Sequence, residues 1–427
     1  MKKLIDDIES DKIWYCSLPF NHIYSNSDGS WMPCCHSRGS KNSDDVRLTT
    51  ANTAMLDWWK SDTMNNIRDE MLGKSRGTKL TDHYCHKCKK QEGDGVKSSR
   101  MEWRDSVIER LPHSDQARNT IIATDAYNDY NEMDLNDVDS RFLELKLRIF
   151  GNLCNLSCYM CWPTNSTVRI NDISKMSKET QLDWFRDSND TDVKKPKLIA
   201  KVDADQFTKS LEQIKEISRF VSVIKITGGE PMIMDSHYKL LDILIESGDA
   251  KHIDLFYQTN FTKFSRGEDA FFKYMKEFKS VGLNISIDSV EEYDEYIRKN
   301  GNTRVVDKNI KKLKGLKNVT IGISNTVSML SILQHADFNK KYSNFNPHYF
   351  VLTKPTYLNI KHLPDKIKNK LLAEIDHENI VNMLKQPRDD NEFQKAMEYC
   401  LELDLLYKRK RGLFTLWPEL EEYYHVH

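Results

Sequence analysis

The chain has 427 residues, with 63 Lys and Arg against 64 Asp and Glu, for a net charge of −1; its pI is near 6.9 and its mean hydropathy −0.65. That balance argues against a nucleic-acid binder driven by overall charge, and no run of eighteen apolar residues is present to span a bilayer. The start, Met1-Lys2-Lys3-Leu4-Ile5-Asp6-Asp7, lacks the apolar core of a signal peptide, so a cytoplasmic, reducing location is expected for a chain with nine cysteines.

Residues 1–124 read as a small cysteine-rich α+β domain. Cys16 precedes Ser17-Leu18-Pro19-Phe20, Cys34 and Cys35 follow Trp31-Met32-Pro33, and Cys85-His86-Lys87-Cys88 closes the set. His22 to Trp31 reads as a β-hairpin turned at Asp28-Gly29. Ser61 to Leu72 reads as a helix with an N-cap serine, followed by Gly73. A core this small needs a metal staple. Cys16, one of Cys34 and Cys35 (Cys34 is preferred), Cys85 and Cys88 offer four sulfurs, a set that fits zinc as well as an iron–sulfur cluster. His36 and His86 read as neighbours of the ligands. Residues 125–139, acidic and Asn-rich, read as a linker.

The next strand candidate, 142–149, leads into Cys154-Asn155-Leu156-Ser157-Cys158-Tyr159-Met160-Cys161. Structural zinc requires four closed ligands, and no Cys or His lies just downstream of Cys161 to complete such a site. Three thiolates can hold three irons of a 4Fe–4S cluster and leave the fourth open; the plainer alternative is three free thiols on a loop. A second strand, 221–227, ends in Gly228-Gly229-Glu230-Pro231. Paired glycines let backbone approach a ligand closely, and Glu230 offers an acceptor for an ammonium group.

Further strands are expected at 253–259, 283–288, 318–325 and 348–353. Between them Phe207, Leu211, Ile214 and Ile217, then Tyr238, Leu241 and Leu244, recur at helical spacing. This alternation predicts an α/β fold of parallel βα units. Residues 187–198 read as a solvated loop. Ligands of such sheets gather at strand carboxyl ends, which here offer Gln258-Thr259-Asn260, Ser286-Ile287-Asp288-Ser289 and Asn325-Thr326, with Tyr296-Ile297-Arg298 following. Taken alone, Ser286 to Ser289 is a helix cap and Arg298 a solvated arginine. Residues 359–427 form a helical extension in which Cys400 is a buried thiol, Lys408 to Arg411 a solvated helix end, and His425 and His427 surface residues.

The cysteine triplet together with Gly228-Gly229-Glu230-Pro231 resembles the radical S-adenosylmethionine superfamily. The resemblance implies a partial (β/α)6 barrel over 140–358, with Cys154, Cys158 and Cys161 holding a 4Fe–4S cluster whose open iron is chelated by S-adenosylmethionine. Gly228, Gly229 and Glu230 would hold the methionine amino group, and Met160 would lie near the adenine. Ser286 and Asp288 would touch the ribose or carboxylate, and Arg298 would bind the methionine carboxylate. An electron from the cluster would cleave the cofactor to a 5′-deoxyadenosyl radical that abstracts hydrogen from a substrate; no catalytic acid or base is identified beyond the cofactor. Cys16-x2-Pro19-Phe20, Asp28-Gly29, Pro33-Cys34-Cys35, Met64-x2-Ile67-Arg68 and Cys85-x2-Cys88-x3-Glu92 resemble the SPASM or twitch module, which implies one auxiliary 4Fe–4S cluster on Cys16, Cys34, Cys85 and Cys88. Here the module precedes the barrel, whereas in that family it usually follows. The implied activity is oxidative modification of a peptide or protein, fed by a reductant such as flavodoxin or ferredoxin, without membrane or nucleic-acid partners. The alternatives are a small carbohydrate or nucleoside substrate, or a non-catalytic interaction protein stapled by zinc.

Overall fold

The computed structural model describes residues 1–26, 30–37, 53–74, 80–130, 135, 140–148, 151–185, 204–313 and 315–424. The Asp28-Gly29 turn, residues 131–134 and 136–139, the loop at 187–198, and His425 and His427 lie outside them. In chain order the strands are β1 His22–Ser25, β2 Trp31–Met32, β3 Leu143–Leu147, β4 Ser157–Cys158, β5 Val221–Ile226, β6 Asp254–Thr259, β7 Ser280–Ser286, β8 Arg298–Lys299, β9 Val319–Val327 and β10 His348–Val351. Six of these, β3, β5, β6, β7, β9 and β10, are the strands expected from the apolar runs. Helices intervene at Ala204–Ile217, Asp235–Glu246, Glu268–Lys276, Thr303–Lys312 and His335–Tyr342, giving the α/β alternation of a partial (β/α)6 barrel.

The chain divides into two compact units. The first comprises Met1–Gly151, Ile199–Tyr257 and Phe272–Val281; the second comprises Asn152–Leu198, Gln258–Phe271 and Gly282–His427. In the first unit β1, β3, β5 and β6 pair in parallel and β2 adds antiparallel to β1. The side-chain period of two places Leu143, Leu145 and Leu147, none of them exposed, on one face of β3. Glu144 lies on the opposite face, within 3.2 Å of His22 Nδ1 on β1 and 2.8 Å of Lys225 Nζ on β5. Burial alone would push its carboxyl up, but hydrogen bonding to His22 and Lys225 and their charges bring it down to about 2.

Pairing of β1 with β3 departs from the sequence expectation of a hairpin in a separate domain. His22, Ile23 and Tyr24 lie opposite Glu144, Leu145 and Lys146, so the cysteine-rich segment supplies strands to the same sheet as β3. The expected linker is also corrected at its start, because the helix Asp115–Tyr130 runs straight through residue 125. Its face of Ala117, Thr120, Ile121, Thr124 and Tyr127 is buried, and Tyr127 donates from its hydroxyl to Asn65 O at 2.9 Å and Asp69 Oδ1 at 3.0 Å.

In the second unit β7, β9 and β10 follow one another in the sheet, with β9 and β10 parallel. The helical extension is not a detached tail. Tyr357, Leu358, Phe393, Met397, Tyr399, Leu403 and Trp417 share one core with Leu156, Tyr159 and Met160 of the cysteine loop. In the basic run after the helix Asp390–Tyr407, Lys408, Lys410 and Arg411 are exposed as expected, and Arg409 departs from that expectation. Arg409 lies over the Tyr296 ring at 3.6 Å, donates to Tyr296 O at 2.6 Å and pairs with Asp404 at 3.2 Å. No helix among the described residues is long and apolar enough to cross a membrane.

Candidate functional site

In the first unit, residues scattered over 16–88 converge on one small cavity lined by Cys16, Cys34, Cys85 and Cys88, with Trp14, Trp103 and Arg100 among the walls. The cysteines arrive on three local devices. Cys16 precedes the short turn Leu18–Asn21, Cys34 follows β2, Cys85 caps the helix His86–Gly93, and Cys88 lies on that helix. The helix is anchored by Glu92, which accepts from Arg100 Nε at 2.8 Å and Trp14 Nε1 at 2.7 Å. Arg68 ties together the segments at Pro19, Trp59 and Asn65. It is fully buried, donates to Pro19 O at 2.9 Å, Trp59 O at 2.7 Å and Asn65 Oδ1 at 2.7 Å, and stacks on Trp59. The helix Asp62–Met71 that carries it begins at Ser61, whose side chain accepts from Met64 N.

Burial and the nearby cysteines disfavour thiolates in this cavity, and the charges of Arg100 and Lys89 oppose that only in part. Burial pushes Cys16 up to about 12, with Cys34 and Cys88 adding to the rise and Arg100 opposing it. Burial also raises Cys34 and Cys85, and each feels the other cysteines of the cavity. Cys35 differs: it is exposed, and although burial pushes its thiol up, hydrogen bonding from His36 and the charge of Lys146 bring it down to about 7. No three His, Cys, Asp or Glu side chains among the described residues converge on a single-ion position. Four cysteines lining one cavity offer the donor set of an iron–sulfur cluster, whose iron would supply the positive charge that thiolates there require.

The same unit carries the end of β5. Gly228 has φ +93° and Gly229 φ +55°, conformations that L side chains rarely adopt. A Cβ on Gly228 would also come within 3.2 Å of the Arg148 side chain. This turn keeps backbone free of side chains over two residues, which is what close approach of a ligand requires. Glu230 is buried and accepts from Met232 N at 3.3 Å, capping the turn Pro231–Ile233.

In the second unit the triplet lies on a loop with β4 at its centre. Cys158 is buried and Cys154 and Cys161 are half-buried. Cys154 Sγ accepts from Leu156 N at 3.4 Å and from Asn260 Nδ2 at 3.9 Å, and Asn260 also donates to Asn155 Oδ1 at 3.1 Å. Burial raises the Cys158 thiol, Arg298 lowers it, and Cys161 and Cys154 raise it further, so the three sulfurs share one field. Cys158 lies opposite Arg298 where β4 pairs antiparallel with β8. Met160 is buried in the core beside Cys158 and Tyr159.

Arg298, expected from the resemblance to take the cofactor carboxylate, has its Nη1 2.8 Å from Asp288 Oδ2, and neither residue is exposed. Asp288 Oδ1 accepts from Thr326 N at 2.7 Å. Asp294, on the helix Glu291–Ile297, reaches back to accept from Asp288 N at 2.8 Å and Ser289 N at 3.1 Å. Burial raises Asp294 to about 7, offset in part by Arg298. Ser286 Oγ accepts from Gln258 Nε2 at 2.7 Å. The expected cap and the expected arginine thus form one buried network next to the cysteine loop.

Three residues of this site carry no sequence motif. Arg169 donates from Nη2 to Tyr159 O at 2.8 Å and from Nε to Cys161 O at 3.3 Å. Tyr399 donates to Tyr159 O at 2.6 Å, and Tyr407 shares a hydrogen bond with Ser157 at 3.0 Å. The only sequence signal was an arginine beside the apolar positions Ile170 and Ile173 of its short helix.

The radical SAM superfamily profile matches residues 149–332. That of SPASM, an iron–sulfur cluster-binding domain, matches residues 16–89. No curated protein matches the chain. Among solved structures, SuiB of Streptococcus suis bound to S-adenosylmethionine is 13% identical over 80% of this chain and 70% of that one, with a TM-score of 0.34. SuiB bound to its precursor peptide SuiA is 14% identical over 81% and 71%, with a TM-score of 0.34.

Proposed function

We propose, for a chain that belongs to the radical S-adenosylmethionine superfamily and carries a SPASM-type iron–sulfur domain ahead of its barrel, that it oxidatively modifies a peptide or protein. The observation that supports an oxidation is the cavity ringed by Cys16, Cys34, Cys85 and Cys88, which adds a second redox group to the one on Cys154, Cys158 and Cys161. When bound, the triplet's cluster and S-adenosylmethionine supply hydrogen-atom abstraction from a substrate carbon, and a second cluster gives the remaining electron a place to go. We assign the barrel to 140–358 and the extension to 359–427, with the cysteine-rich part carried through the helix Asp115–Tyr130 rather than ending at 124.

The chain's own residues prepare that chemistry. Cys154, Cys158 and Cys161 hold three irons, and Asn260 and the Leu156 amide donate toward Cys154, favouring its thiolate. The left-handed turn at Gly228 and Gly229 would offer bare backbone to the methionine amino group, with the Glu230 carboxylate as counter-charge. Asp288 fixes the Arg298 guanidinium at the cysteine loop. We assign Ser286, Asp288 and Arg298 to the cofactor's polar end and Met160 to its adenine. Cys34 rather than Cys35 completes the auxiliary set, because Cys34 lines the cavity and Cys35 is exposed.

The test is anaerobic reconstitution with iron and sulfide, followed by dithionite and S-adenosylmethionine. Release of 5′-deoxyadenosine should rise on adding a peptide fraction from the source cells, with loss of two hydrogens in one peptide by mass spectrometry. Stimulation by the sugar and nucleoside fraction alone would overturn the peptide assignment.

A further inference from the structure

Two guanidinium groups flank the cysteine triplet, and they differ in one respect. Arg298 opposite Cys158 is neutralised by Asp288 at 2.8 Å. Arg169 is fully buried and has only neutral partners among the described residues. These are the carbonyls of Tyr159 and Cys161, the Tyr399 hydroxyl, and the rings of Trp184 and Tyr399 at 4.7 and 5.6 Å. Its remaining nitrogen, Nη1, is buried without a hydrogen-bond partner among them. A buried cation without a counter-ion is costly, and neutral hydrogen bonds offset only part of that cost.

What the fold places next to this charge is the cysteine loop itself. Arg169 binds the carbonyl of Cys161, one of the three ligands, and of Tyr159, which lies between Cys158 and Cys161. The helix carrying it is tied to the same loop by Ser166, whose hydroxyl donates to Leu156 O at 3.0 Å and whose side chain accepts from Arg169 N. Three thiolates make a cluster held there anionic, and one-electron reduction makes it more so. We propose that Arg169 is a positioning residue that uses this anion as its counter-charge, clamping the loop and raising the cluster's reduction potential. The electron comes from a low-potential donor, and the arginine stabilises the more negative, reduced form. Charge and hydrogen bonding around a cluster are among the levers by which protein sets potential. The proposal rests on the triplet holding a cluster.

The experiment is a redox titration of the reconstituted protein by electron paramagnetic resonance, following the signal that changes when S-adenosylmethionine is added. Arg169→Gln, which keeps a donor and removes the charge, should lower the midpoint by a tenfold change in the reduction equilibrium, about 59 mV for one electron. Arg169→Lys, which keeps the charge, should stay near the wild type. Equal midpoints for the two variants would overturn the proposal. Should Arg169→Gln fail to fold, Tyr399→Glu against Tyr399→Gln asks the same question, since a carboxylate there neutralises Arg169. The glutamate variant should have the lower midpoint, and no difference would refute the role. A wild-type protein without any cofactor-sensitive signal would instead overturn the cluster assignment itself.

Discussion

The two cysteine sets are built on opposite plans. The triplet occupies eight consecutive residues, and its loop is clamped by single side chains such as Arg169, Tyr399 and Asn260. The N-terminal set spans residues 16–88 and is assembled only when a turn, a strand end and a helix come together. A contiguous set is fixed by spacing and survives local change. A dispersed set depends on the tertiary structure that brings it together, so its metal is part of its folding. Burial and neighbouring cysteines push Cys16, Cys34 and Cys85 up, which disfavours their thiolates in the absence of a cation, whereas in the triplet Arg298 lowers Cys158.

This contrast can be broken by mutation. The largest effect is expected for the triple variant Cys154→Ala, Cys158→Ala, Cys161→Ala. It should lose all 5′-deoxyadenosine formation and about half of the iron while retaining its fold by circular dichroism, since ligands on one loop carry little of the structure. Cys85→Ala with Cys88→Ala should also lose about half of the iron, but with a lowered Tm, because here metal binding contributes to folding. If the two variants lose stability equally, the distinction between contiguous and dispersed sites fails.

Arg68 sharpens the contrast without touching a ligand. Arg68→Met removes donors from the buried carbonyls of Pro19 and Trp59 and should cost about 3 kcal/mol, measured by denaturant unfolding. It should weaken the N-terminal iron site and leave the triplet's intact.

Acid should act through Glu144, which joins β1 to β3 and β5. Its folded pKa, about 2, lies below the ordinary carboxyl value of 4.5. The stability it contributes is therefore complete above about pH 4.5 and lost as pH falls toward 2, on the order of 3 kcal/mol over that window. Glu144→Gln should flatten the stability profile there. The smallest effect is expected for Cys35→Ala, which should keep both the iron content and the Tm; loss of iron in this variant would reassign the fourth ligand from Cys34.

Much of this architecture is legible in sequence because its signals are local. Six strands follow from short apolar runs, the helix after Ser61 from its cap, and the triplet from its spacing. The parts that escape sequence reading are non-local. Nothing in His22-Ile23-Tyr24 announces a parallel partner 122 residues later at Glu144, and the acidic composition after residue 124 hides Tyr127, whose buried ring continues the helical face. Arg169 reads as an ordinary polar position because a lone arginine on a short helix has no motif; its role follows only from the carbonyls it binds. The choice between Cys34 and Cys35 needs the cavity, since neighbouring residues have the same spacing to every other cysteine within one position.

The central claim is that two iron–sulfur sites coexist in one chain. It is tested most directly by iron and sulfide analysis of the anaerobically reconstituted protein together with electron paramagnetic resonance, with and without S-adenosylmethionine. Two reduced-cluster signals are predicted, of which one, abolished in the triplet variant, shifts on adding the cofactor, and the other, abolished in the Cys85→Ala, Cys88→Ala variant, does not. A protein that binds a single zinc, takes up no iron and yields no 5′-deoxyadenosine with dithionite would contradict the account.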